Sequence, residues 1–168
     1  GVTTTGGGTG VLSVARNKTG ATNVNAGTLA VTTNDALGTA AGITPVAPGA
    51  TIDFRGVVYA NAEPLTANGG TIATSTGTSS FAGAVTLGAT SAVNVTGTQL
   101  TLSGPIGASA PSGLAVNATG SGMLVLTCNN SSTGVPTVNP GPLPAQHANA
   151  LGATAAGPPG VAAPTLEL

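Results

Sequence analysis

This chain has very little charge. Three Lys or Arg and four Asp or Glu serve 168 residues, 4% against about 25% in an ordinary soluble domain. Between Glu63 and Glu167 the only titratable side chains are Cys128 and His147. Tryptophan is absent, and Phe54, Tyr59 and Phe81 are the only aromatic residues. A chain with no Lys/Arg cluster and almost no stacking platform lacks the usual handles for nucleic acid. Net charge is −1, so charge-driven disorder is excluded, because that needs low hydrophobicity with high net charge. No run of about 18 apolar residues reads as a membrane helix. The start, Gly1–Gly6, has neither the basic nor the apolar region of a signal peptide. It also has no Met, and Thr165–Leu168 reads as mid-strand, so an internal piece of a longer protein is expected. One cysteine, Cys128, allows no internal disulfide. Together with one histidine it makes no zinc site.

What is abundant is small and neutral. Ala (29), Gly (27) and Thr (28) make up half the chain. The glycines do not keep the period of three that collagen requires. Gly, Pro, Ser and Asn punctuate every stretch and leave no room for a helix longer than one turn, at Thr33–Gly38. Short alternating segments recur instead: Val11–Val14, Thr28–Val31, Ala50–Phe54, Gly70–Ala73, Ala84–Leu87, Ala92–Val95, Leu100–Ser103, Leu114–Asn117 and Met123–Thr127. Each sets an apolar side chain beside a small or polar one and then meets a Gly or Asn corner, as strands with one buried face do. The segments around Leu12, Leu29, Thr51 and Thr71 lie 17 to 22 residues apart. That spacing predicts an all-β parallel β-solenoid of about 20 residues per coil.

An internal repeat supports this. At an offset of 114 residues, Thr19–Phe54 matches Thr133–Leu168 at 12 of 36 positions, among them Val24, Asn25, Leu29, Ala36, Leu37 and Gly38. The segment just before, Gly10–Val14, aligns with Gly122–Leu126 if the offset shortens by two.

Gly122–Thr127, Asn129-Asn130, Thr133-Gly134 and Thr137-Val138-Asn139 resemble the autotransporter-associated β-strand repeat. So do Val24-Asn25-Ala26-Gly27-Thr28-Leu29 and the corners Asn34–Gly38 and Asn149–Gly152. The resemblance implies a right-handed parallel β-helix in the passenger of a type V secreted bacterial surface protein. Such a passenger is extracellular and is anchored at the outer membrane by a C-terminal barrel outside this chain. Host, cell-surface or matrix components are the partners to expect. Nucleic acid and small-molecule cofactors are not. Ser132 and Cys128 depart from the repeat, as do Pro136, Pro140, Pro142 and Pro144. Proline cannot donate to a ladder. Regular coils are therefore expected over residues 1–134, with strand structure to about Thr127, and a degenerate, irregular Pro-rich copy over 135–168.

Residues for chemistry are few. No nucleophile elbow, phosphate loop or calcium-binding glycine-aspartate repeat occurs. Glycoside cleavage needs two carboxylates about 5 to 9 Å apart, and Asp35, Asp53 and Glu63 are the candidates. Asp35 reads as a corner former. Asp53 reads as an outward strand residue beside Arg55, in solvent. Glu63 precedes Pro64 in an irregular stretch. His147 reads as an exposed loop residue. Thr74, Thr76 and Thr78 alternate, so their hydroxyls could share one flat face. No catalytic, cofactor or metal residue is assigned. The expected role is a rigid stalk or adhesive surface that aids export by folding coil by coil. A polysaccharide-active β-helix and a chain without a stable fold are the alternatives.

Overall fold

The computed structural model describes residues 1–109, 111–139, 142–147 and 149–152. Its strands are β1 (Val2–Thr4), β2 (Thr9–Leu12), β3 (Thr22–Val24), β4 (Thr28–Val31), β5 (Thr44–Val46) and β6 (Thr51–Phe54). Then follow β7 (Val58–Tyr59), β8 (Leu65–Asn68), β9 (Thr71–Thr74), β10 (Thr78–Phe81), β11 (Val85–Ala89) and β12 (Ser91–Val95). The last are β13 (Gln99–Leu102), β14 (Ile106–Ala108), β15 (Leu114–Ala118), β16 (Met123–Leu126) and β17 (Thr137–Val138). Among the described residues there is no helix, and Thr33–Gly38 is a tight turn.

Three parallel sheets form the faces of a solenoid of about six turns, with about 21 residues per turn. The first face is β1-β3-β5-β8-β11-β14, the second β2-β4-β6-β9-β12-β15-β17, and the third β7-β10-β13-β16. Every pairing is parallel, so equivalent residues stand directly above one another. Leu29, Ile52, Ile72, Val93 and Val116 make one interior column on the second face. Tyr59, Phe81, Leu102 and Leu126 make another on the third. These columns are fully or almost fully buried and form one continuous core. The three aromatic rings cluster within it, with Phe54 and Phe81 centroids 5.0 Å apart and Tyr59 5.7 to 5.9 Å from each.

Outward columns obey the same geometry with polar residues. Asn117 donates to Asn94 at 2.8 Å and Asn139 donates to Asn117, an amide ladder up the second face. The alternating threonines do not share a face: Thr74 is wholly buried in an interior column, while Thr76 and Thr78 are exposed.

Corners use glycine where the chain crowds itself. Gly27 has φ +68°, and a side chain there would meet the carbonyl oxygens of Gly6 and Gly8 at 2.3 Å. That contact requires glycine at position 27, where the first coil passes over the second backbone to backbone.

The 114-residue repeat is rebuilt in hydrogen bonds. Thr32 N donates to Leu12 O, and Gln146 N to Leu126 O; Arg16 N donates to Asp35 O, and Asn130 N to Asn149 O. Leu12 pairs with Val31 as Leu126 pairs with Ala145. Gly38 and Gly152 both take positive φ, +116° and +96°. The equivalence of Leu12 with Leu126 corrects the shortened offset expected for Gly10–Val14, because 114 holds there too. The repeat also advances one face around the coil. β3 lies on the first face and its counterpart β17 on the second, while β4 lies on the second and Ala145 pairs with the third.

Among the described residues the last strand longer than two residues is β16. Beyond it the described ladder is the two-residue β17 and the single bridge Leu126–Ala145. Stacking persists through acceptors: the carbonyls of Pro142 and Pro144 receive the Leu124 and Leu126 amides at 3.3 and 3.2 Å. A proline lacks only its donor, so the ladder thins there and does not end. Pro140, and residues 153–168 of the expected degenerate copy, lie outside the described residues.

The stacking geometry makes charge costly. Asn94→Asp and Asn117→Asp place carboxylates one coil apart in the same column. The double variant should be less stable than the two singles predict by about 1 kcal/mol at low salt. Urea unfolding should show this excess shrink as salt is raised.

Candidate functional site

The third face is incomplete at its start. Its sheet begins only at β7. In the two preceding coils that side is made by the loops after β2 and after β4. Four of the seven charged residues, Arg16, Lys18, Asp35 and Glu63, belong to these two loops and to the one after β7. In a chain so poor in charge, this is where ionisable chemistry gathers.

Glu63 turns into the solenoid. It is fully buried, and its Oε1 accepts a hydrogen bond from the buried Thr44 hydroxyl at 2.9 Å. Its Oε2 has no partner among the described residues. Gly42 leaves the room: a side chain there would stand 3.1 Å from Oε1. Burial pushes the Glu63 carboxyl above its usual range, against the opposing pull of the Thr44 hydroxyl and the Lys18 ammonium. Tyr59, also fully buried, accepts the Leu37 amide at its hydroxyl at 3.1 Å. Burial first and the Glu63 charge second hold that phenol protonated well above its usual value. Lys18 leans in from the rim, donating to Gly20 O at 2.9 Å and to the buried Thr22 hydroxyl. Burial lowers its ammonium below the ordinary value, while Glu63 pulls the other way.

Outside this network lies an open surface depression of about 570 Å³, lined by Ala15, Arg16, Asn17, Asp35, Thr39 and Asn61. Three successive coils contribute to it. Asp35 sits in the left-handed region, φ +59°, a conformation Asp tolerates better than most residues. Asn61 ties the coils together, donating to Asp35 Oδ1 at 3.2 Å and to Gly38 O at 2.9 Å. Asn34 does the same beside it, accepting the Ala60 amide at 2.9 Å. The Arg16 side chain is exposed and makes no hydrogen bond or ion pair among the described residues.

The three candidate carboxylates do not converge. Asp53 is paired with Arg55 at 2.6 Å as its position in the strand implies, but it is not solvated: it is 2% exposed. Ser75, one coil on, covers it, donating its amide to Oδ1 at 2.9 Å and its hydroxyl to Oδ2 at 2.7 Å. Alternation correctly placed Asp53 on the outer side of the strand and could not show that the next coil closes over it. Glu63 reads as part of an irregular stretch, and among the described residues the structure makes it the one carboxyl that points into the core. The missed signal is the pair of small residues at Gly42 and Gly83, which leave space around it: a side chain at Gly83 would collide with the Glu63 backbone oxygen at 2.1 Å. His147 is exposed, its Nδ1 accepting the Asn149 amide at 3.2 Å. Cys128 is half-buried, with its thiol donating to Ser103 O. No group of three His, Cys, Asp or Glu suited to a metal occurs among the described residues.

No protein-family model, no curated protein and no solved structure matches this chain.

The buried carboxyl sets a pH dependence. A folded-state value raised above 4.5 means the folded chain holds this proton more tightly than the unfolded one. The stability contributed is therefore complete below about pH 4.5 and is lost as pH rises through the raised value. Glu63→Gln keeps the shape and removes the titration. The wild-type urea midpoint, relative to that of Glu63→Gln, should fall as pH rises above about 4.5. A difference between the two that does not vary with pH would show that Glu63 is ionised in the fold at its ordinary value.

Proposed function

We propose that this chain is a segment of the passenger of a secreted bacterial surface protein of the autotransporter kind, acting as a rigid stalk or adhesive surface. The observation that supports this reading most directly is the 114-residue repeat, rebuilt with the same corner hydrogen bonds around one continuous core. Each coil satisfies the backbone groups of the one before it and buries its apolar column. Free energy of stacking then accrues coil by coil, which suits a chain that emerges from the cell end first. The repeat motif quoted above supplies the export context. Polysaccharide cleavage has less behind it, since Asp53 is buried under three hydrogen bonds from Arg55 and Ser75 and Glu63 is closed to solvent.

The test is export. Fused ahead of a type V outer-membrane barrel, the chain should reach the surface of a Gram-negative cell and become sensitive to added protease. Val93→Asp places a carboxylate in a fully buried interior column and should cut surface display several-fold while leaving synthesis unchanged, because an unpaired buried charge unfolds the coil that carries it. Equal display of the two would remove the link between coil folding and export.

A further inference from the structure

We propose that the depression lined by Arg16, Asn17, Asp35, Thr39 and Asn61 is a saccharide-binding site that holds a neutral sugar by its vicinal hydroxyls. The comparison of the two repeat copies carries this furthest. The corner backbone does not need charge: Arg16 N to Asp35 O is matched by Asn130 N to Asn149 O, with uncharged residues at both positions. In the second copy Asn130 turns inward and closes the corner, taking the Ile106 amide at 2.7 Å and donating to Ala150 O. It is 3% exposed. In the first copy Arg16 is exposed and lines the depression. The corner bond thus needs neither the guanidinium nor the carboxylate, and both line a hollow to which three coils contribute.

The lining selects the ligand. One guanidinium, one carboxylate, two carboxamides and one hydroxyl both donate and accept, and their formal charges cancel. A ring bearing adjacent hydroxyls, each donor and acceptor, complements such a set. No large apolar or aromatic side chain lines the hollow, so an apolar peptide anchor finds no pocket. The Asp35 carboxylate opposes phosphate. Asn61 is already fixed by its two hydrogen bonds, so part of the site is preorganised. Without an aromatic stacking partner binding is weak, and repetition along a surface array would supply avidity. The site is independent of the stalk reading: a chain that fails to bind sugar can still be exported by the fusion test above, and the reverse.

Methyl glycosides of glucose, mannose, galactose and N-acetylglucosamine, titrated into the ¹⁵N-labelled chain, provide the test, with inorganic phosphate run in parallel. At least one glycoside should move the amide signals of Arg16, Asn17, Asp35, Thr39 and Asn61 as a group. The double variant Arg16→Asn with Asp35→Asn installs the residues the chain itself uses at the second corner. It should keep the rest of the spectrum and weaken binding by about tenfold or more, the loss expected for charge-assisted hydrogen bonds. The proposal is overturned if none of the four glycosides moves these signals, if the double variant binds as well as the original chain, or if only phosphate binds.

Discussion

Everything in this molecule follows from in-register parallel stacking. Each residue of a strand has a counterpart one coil above and one below, about 4.8 Å away. A side chain is therefore chosen for its own copy as much as for its environment. Aliphatic side chains stacked in this way make continuous columns such as Leu29–Ile52–Ile72–Val93–Val116. Amides make a ladder, because each carboxamide both donates and accepts, as Asn94, Asn117 and Asn139 do. A like-charged column cannot satisfy itself in this way. The scarcity of charge over a hundred residues is thus a property of the architecture, and the few charges that remain have to be placed where stacking is interrupted or where an opposite partner is at hand.

Both kinds of placement occur. Asp53 shares its position in the ladder with Ala30 and Ala73, so no like charge lies above or below it. Arg55 and Ser75 fill its acceptors. Arg16, Lys18 and Asp35 sit where the third sheet has not begun, and Glu63 follows its first strand, all in loops that do not repeat from coil to coil. The irregular start of the third face is what permits a polar hollow outside and a buried carboxyl inside within a few residues of each other.

Much of this was legible in residue order. Alternation located the strands of the second face, and the corner residues Asn34–Gly38 and Asn149–Gly152 were marked by the repeat. The repeat also matches Val24 with Val138 and Leu37 with Leu151. What alternation could not convey is which neighbour a residue meets across the coil. Asp53 reads as solvated until Ser75, 22 residues later, is laid over it. Glu63 reads as a loop residue because nothing local to Asn61–Pro64 reveals that Thr44 waits 19 residues earlier. The depression is invisible for the same reason: its residues come from three coils and share no motif.

The one-face advance of the repeat is informative about how such a chain tolerates change. An offset of 114 residues spans five turns of about 21 residues and roughly two-fifths of another. The second copy is therefore not the first copy translated along the axis. It is the same strand-corner-strand unit set on the next face, with its corner hydrogen bonds kept. That is possible because the unit's requirements are local: an apolar column on the inside, a tight corner, and the previous coil 19 residues back, as in Leu12–Val31 and Leu126–Ala145. The face it occupies is set by the coils beneath it. A solenoid built this way can lengthen by copying segments that are not whole turns, and each copy is then free to lose or keep side chains that the corner does not use. Arg16 and Asp35, replaced by Asn130 and Asn149 without loss of the corner bond, show where that freedom lies.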